Sequence, residues 1–293
     1  MSNRNSSRNA NRKVADADAP IVEPSVPSNV ANSGNSLLNF ANPTEIVELP
    51  SRGALYHPNH PLFNKESIEI KFMTAKEEDI LTSQSLLRRG LAIDRLLESV
   101  VIDKSIDPKS LLIGDRNAIL YATRITGYGT EYPAKITCGN CGHNHEYEFD
   151  LNNFKNGYKY FDKERSEFEF TNNGTFIVKL PKSGVSVEVK PLTGTDEDTL
   201  SKTQELKAKK RLADSSLTDM FRSMIVTANG IHDKAQISEF IDNMPALDSR
   251  YLRAAYQNVV PNVQLSEAVE CPNCGDVAET EVPFTAEFFW PNK

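Results

Sequence analysis

Lys71-Phe-Met-Thr-Ala-Lys-Glu-Glu-Asp-Ile-Leu81 and Lys190-Pro-Leu-Thr-Gly-Thr-Asp-Glu-Asp-Thr-Leu200 read as two versions of one phrase. Thr74 answers to Thr193, Glu78 to Glu197 and Asp79 to Asp198, all at an offset of 119 residues. Further along, Asp115 answers to Asp248, and Cys138-Gly-Asn-Cys-Gly142 to Cys271-Pro-Asn-Cys-Gly275, now at an offset of 133, so the second half has gained 14 residues between the blocks. A threonine-acid helix start, a second aspartate-opened helix and a CxxCG motif recurring in the same order point to an internal duplication.

The stretches around these blocks supply the elements. Ser67–Phe72 alternates at period two, as a half-buried strand does, and 175–180 and 185–190 flank Pro181-Lys-Ser-Gly184 as a hairpin. Thr74 followed three residues later by Glu77 is a capping box, and Ile80, Leu81, Leu86, Leu87, Ile93, Leu96, Leu97 and Val100 follow at helical spacings with a break at Gly90. In the second half a long charged helix is expected over 196–213. Leu217, Phe221, Met224, Ile225 and Ala228 then form an apolar helical stripe ending at Gly230, with a further short helix over 233–244. The expected class is α+β: a disordered N-terminal arm over 1–44, then two related lobes over 45–165 and 166–293, each running strands, helices and a CxxC knuckle.

The arm is rich in Ser, Asn, Ala and Pro, carries +1 against −8 for the remainder, and clusters aliphatic residues only at Leu37, Leu38 and Phe40. Such a segment cannot bury enough to order itself, but those three residues offer an anchor on a neighbouring subunit. At the other end Phe284, Phe288, Phe289 and Trp290 gather in one short tail. Packing against the tail's own lobe keeps it soluble, while docking on a partner would use the aromatic preference of interface cores.

Composition narrows the function. The chain has 293 residues, 39% of them hydrophobic, and a formal net charge of −7. The acidic balance opposes nucleic-acid coating and binding to an anionic membrane. No apolar run approaches the roughly 20 residues that span a bilayer, and the first residues lack the apolar stretch of a secretory signal. The expectation is a chain made in the cytosol, with its four cysteines reduced or metal-bound.

Those cysteines, Cys138, Cys141, Cys271 and Cys274, come as two CxxCG pairs. Two residues between ligands and a glycine after the second let a tight turn aim both thiolates at one cation, and two such turns make the tetrahedral four-sulfur set that zinc favours. The 129 residues between Cys141 and Cys271 far exceed the gap of a compact zinc module. Three arrangements remain open: one structural Zn2+ shared between the halves, favoured by the duplication; knuckles without metal; or a local site of Cys138, Cys141, His143 and His145. A site filled by four thiolates is closed to substrate.

Nothing else in the sequence suggests catalysis. The triplets Glu77-Glu78-Asp79 and Asp196-Glu197-Asp198 fall in first helical turns, where negative charge complements the helix dipole. Lys207, Lys209, Lys210 and Arg211 read as a solvated helix face. Walker A, GxGxxG, GxSxG and HExxH patterns are missing from the sequence. No small-molecule substrate is implied. A zinc-ribbon protein that binds nucleic acid is the alternative the CxxC pairs raise.

Thr74-Ala-Lys-Glu-Glu-Asp-Ile-Leu81, Gly90-Leu-Ala-Ile-Asp-Arg-Leu-Leu97, Gly114-Asp-Arg116, Arg124-Ile-Thr-Gly-Tyr-Gly129, Asp242-Asn-Met-Pro245 and Phe288-Phe-Trp-Pro291, in that order between about Leu49 and Pro291, resemble the T4-like bacteriophage baseplate protein family. The resemblance implies a non-enzymatic role at the baseplate hub of a contractile tail, as component or assembly factor. Its partners would be other baseplate or tail proteins, met in the cytoplasm of the infected host. It implies no catalytic residue, and the metal expectation rests on the four cysteines alone.

Overall fold

A computed structural model describes residues 43–152, 157–263, 265–282 and 286–289. Leu37, Leu38, Phe40 and Trp290 lie outside these residues. The first described strand, β1 (Thr44–Glu48), pairs antiparallel with β2 (Ser67–Lys71); residues 1–42 of the expected arm lie outside the described residues. Ile68 and Ile70 point into the core while Glu69 between them is exposed, the period-two pattern that puts alternate residues on opposite faces.

Three short helices follow, α1 (Ala75–Thr82), α2 (Gln84–Arg88) and α3 (Ala92–Val100), and then the longer α4 (Ile113–Tyr128). Gly90, at φ +66°, makes the expected break before α3, because a left-handed residue is cheap only without a Cβ. The hairpin of β3 (Glu131–Thr137) and β4 (Asn144–Asp150) comes next, followed by two-residue strands β5 (Tyr158–Lys159) and β6 (Glu169–Phe170).

The second half opens with the hairpin β7 (Phe176–Lys179) and β8 (Ser186–Val189), turned at Gly184, where φ is +72°. Helix α5 (Gly194–Lys209) and helix α6 (Ser216–Met224) lead to β9 (Ile225–Ala228), which completes a sheet in the order β6-β7-β8-β9. The apolar helical stripe expected to reach Ala228 therefore stops at Met224. The β-branched run Ile225-Val226-Thr227 fits a pleated strand better than another helical turn and adds to the edge of β8. Helices α7 (Lys234–Asp242) and α8 (Ala246–Val259), strand β10 (Asn262–Val263), the hairpin β11 (Ser266–Glu270) and β12 (Val277–Glu281) and a short 3-10 turn (Ala286–Phe289) finish the described chain.

The class is α+β with small antiparallel sheets. Several details recur between the halves. Thr74 and Thr193 cap α1 and α5 through Glu77 and Asp196, whose carboxylates accept from the cap amides at 2.9 and 3.0 Å. The same carboxylates bind Lys71 at 2.6 Å and Lys190 at 2.8 Å. After α3 the chain bridges from Val101 to Ile70, and after α6 it pairs Ile225 with Val189.

Asp115 and Asp248, read from sequence as helix starters, are instead each the third residue of a helix, with side chains buried and turned toward loops. Asp115 accepts from the Ser51 amide at 2.9 Å and Asp248 from the Lys182 amide at 2.6 Å. The loops they hold are alike, Leu49-Pro50-Ser51-Arg52-Gly53 and Leu180-Pro181-Lys182-Ser183-Gly184.

The halves are not separate in packing. Val47, Ile70, Leu97 and Ile119 share one continuous core with Phe176, Val187, Phe221 and Leu252. Backbone bonds cross between them, from Ile113 N to Leu192 O at 3.1 Å and from Gly194 N to Leu111 O at 3.0 Å, and β5 pairs with β10. Lys109 bridges Asp94 at 3.2 Å and Asp198 at 2.9 Å, while the buried Arg116 meets Asp94 at 2.8 Å. Gly114 lets α4 approach the other half, since a Cβ there would lie 2.2 Å from the Pro261 carbonyl.

Candidate metal centre

Each cysteine pair caps a hairpin. On the first, Tyr132, Ala134 and Ile136 of β3 face the core while Glu131, Lys135 and Thr137 are exposed, so the hairpin is anchored along one face and its tip projects. At the tip the Cys138 amide donates to the His143 carbonyl at 2.9 Å, and the Gly142 amide donates to the Cys138 carbonyl at 2.9 Å. The second tip repeats this bond by bond. Cys271 N donates to Asp276 O at 2.8 Å, and Gly275 N to Cys271 O at 2.9 Å. Gly142 and Gly275 hold the same left-handed conformation, at φ +71° and +69°. A residue with a Cβ would strain the return of either turn.

The two tips meet. Cys138 Sγ lies 3.7 Å from Cys274 Sγ, Cys141 Sγ lies 3.7 Å from Cys271 Sγ, and all four sulfurs fall within 4.8 Å of one another. Cys271 is buried and Cys138 half-buried, whereas Cys141 and Cys274 face solvent. The side-chain amide of Asn273 reaches Cys141 Sγ at 3.6 Å, and that of Asn140 reaches Cys274 Sγ at 3.9 Å.

The electrostatics follow from this crowding. The Asn273 amide, then the backbone at His143, favour the thiolate of Cys141 and hold its pKa down to about 6. At Cys274 the Asp276 amide also favours the thiolate, yet the neighbouring Cys141, with desolvation and the remaining thiols, pushes the pKa up to about 12. Cys141 gives up its proton readily and Cys274 holds its own, because a second anionic sulfur this close to the first is repelled. A bound cation removes that opposition.

The other candidates are placed as follows. His143 and His145 stack on each other, ring centroids 5.9 Å apart, and neither belongs to the four-sulfur group found among the described residues. Phe288 and Phe289, considered as partner contacts, are buried within the chain. Phe288 packs against Tyr132, and its carbonyl accepts from Arg124 Nε at 2.9 Å. Phe288 thus meets α4 and β3 of the first half. The acid triplets make no cage, since Glu77 and Asp196 are occupied by their caps and lysines. Asn140 and Asn273 went unnoticed in the sequence. The signal was there: the residue before each differs, Gly139 against Pro272, while the asparagine is shared.

The described residues thus form an α+β chain in which two hairpins far apart in sequence bring four thiols together. The chain belongs to a family described as T4 bacteriophage base plate protein, whose profile matches residues 44–290. It is by family a structural protein of the phage baseplate. Comparison with curated proteins and with solved structures found no significant match.

Proposed function

We propose that this chain is a non-enzymatic structural or assembly protein of the hub region of a contractile-tail baseplate, and that one zinc ion held by Cys138, Cys141, Cys271 and Cys274 fastens its two halves. The observation that carries the metal reading is the pair of 3.7 Å sulfur separations between hairpins more than a hundred residues apart. Four sulfurs placed tetrahedrally at 2.3 Å from zinc lie about 3.8 Å from one another. The donor set fits zinc in chemistry, and the two 3.7 Å separations match this spacing. When bound, zinc supplies a cross-link and compensates the thiolate charge. With all four positions taken by protein there is no vacancy for substrate or water.

The halves are proposed to descend from one duplicated unit. The recurring capping boxes, the two LPxxG loops held by Asp115 and Asp248, the return of each half to its second strand, and the matched knuckles support this. A doubled unit gives one chain two related surfaces for neighbouring baseplate or tail proteins, and a metal clasp keeps them at a fixed angle. Residues 1–44, through Leu37, Leu38 and Phe40, and Trp290 at the other end are the proposed contacts with such neighbours. The chain acts in the host cytoplasm during assembly, either as a component that stays in the tail baseplate or as a factor that leaves before the tail is complete.

A protein census of purified tails and of assembly intermediates tests the role. A stoichiometric copy in mature tails marks a component, and presence only in intermediates marks an assembly factor. Absence from both, or salt-sensitive retention of DNA or RNA in a gel shift, contradicts the proposal and favours the zinc-ribbon alternative.

A further inference from the structure

Each knuckle reaches across to the other through one side chain, and the reach is reciprocal. Asn140 of the first donates toward Cys274 of the second, and Asn273 of the second donates toward Cys141 of the first. The two sulfurs served are the two exposed ones, while Cys138 and Cys271 are more enclosed. We propose that Asn140 and Asn273 are positioning residues of the four-cysteine metal centre, each shielding and charge-compensating the solvent-facing thiolate of the opposite knuckle. This rests on the zinc reading given above.

Backbone geometry does not demand asparagine at either position. Among the described residues the non-glycine positions with positive φ are Arg52, Asn64, Arg211 and Asn229, so neither Asn140 nor Asn273 is there to supply a left-handed turn. Four thiolates around a divalent ion leave a net charge of −2, and outside donors lower the energy of that excess charge. The exposed sulfurs need it most, since protons and competing ligands arrive from solvent. Neither hairpin has this contact alone, because each asparagine finds its sulfur only when the knuckles are in register. The pair therefore also favours the arrangement in which one ion is shared.

The test compares wild type with Asn140→Leu, Asn273→Leu and the double variant, which keep the branched side-chain shape but lose the donor. Asn140→Gln and Asn273→Gln restore a carboxamide. Two readouts are taken: the rate of zinc transfer to a chromophoric chelator, and the thiolate-to-metal charge-transfer bands of the cobalt-substituted protein. Loss of an outer-shell partner commonly costs 10–100-fold in metal affinity, so the double leucine variant is expected to release zinc about 10-fold faster or more, at unchanged stoichiometry. Its cobalt bands should shift, and the glutamine variants should recover part of both effects. Release within about two-fold of wild type and unshifted bands in the double leucine variant would overturn the proposal while leaving the metal centre intact. A wild-type protein that takes up neither zinc nor cobalt would overturn both.

Discussion

Glu77 shows how much one buried carboxylate can carry in this chain. Burial alone would raise its pKa, but the Lys71 ammonium, then Ser99 and Thr74, bring it down to about 2 from an ordinary 4.5. A depressed carboxylate stabilises the fold above its unfolded pKa and loses that contribution as pH falls toward the folded value. Glu77→Gln is therefore expected to cost on the order of 2 kcal/mol at neutral pH, with the gap to wild type closing between about pH 4.5 and pH 2. Urea denaturation across that range measures it, and a gap independent of pH contradicts the assignment. Removing one cysteine has a different signature. Cys138→Ser or Cys271→Ser is expected to lose the zinc entirely, because a remaining three-thiolate set split between two hairpins gives up the cross-link as well as a ligand. Full retention of zinc in either variant, measured by elemental analysis, would place the metal elsewhere.

Between residues and fold stand the elements, and here the two buried aspartates matter most. Asp248 accepts from the amides of Lys182 and Ser183, and Asp115 from Ser51 and from the Tyr56 hydroxyl. Asp248→Ala would leave two amides of the β7–β8 turn without their partner, at a cost of about 3 kcal/mol. Chemical denaturation gives the number, and a loss under about 0.5 kcal/mol would mean that water replaces the carboxylate. These contacts also mark where sequence reasoning stops. The capping boxes at Thr74 and Thr193, the break at Gly90 and the CxxCG turns were legible because each is local, written within a few residues. Asp115 and Asp248 were visible as a matched pair but misread as helix starters, since their partners lie 64 and 66 positions away. Ile225–Ala228 looked helical from its apolar spacing, and only the waiting edge of β8 makes it a strand.

At the scale of the whole molecule the two halves interlock more than the repeat suggests. One core runs through both, Phe288 is buried against Arg124 and Tyr132 of the first half, and the knuckles bring their four sulfurs together. That the halves share a core was not readable from either half alone, because each strand and helix shows only that it has an inward face. The meeting of the knuckles was foreseen only through the repeat, which suggested that matching turns come together. A chain with one core should unfold in a single cooperative transition, observed at the same denaturant concentration by circular dichroism and by tyrosine fluorescence. Removing the metal should loosen the structure locally first. Amide exchange is expected to accelerate most in β11 and β12, whose hairpin carries Cys271 and Cys274 at its tip. Uniform acceleration throughout would mean that the clasp supports the whole fold instead.

The account stands or falls on whether the two knuckles hold one ion. X-ray absorption at the zinc edge, on protein purified without chelator and counted by elemental analysis, addresses this directly. One zinc per chain surrounded by four sulfurs at about 2.3 Å is the expected result. A metal-free chain, two metals per chain, or a shell containing nitrogen or oxygen would contradict it.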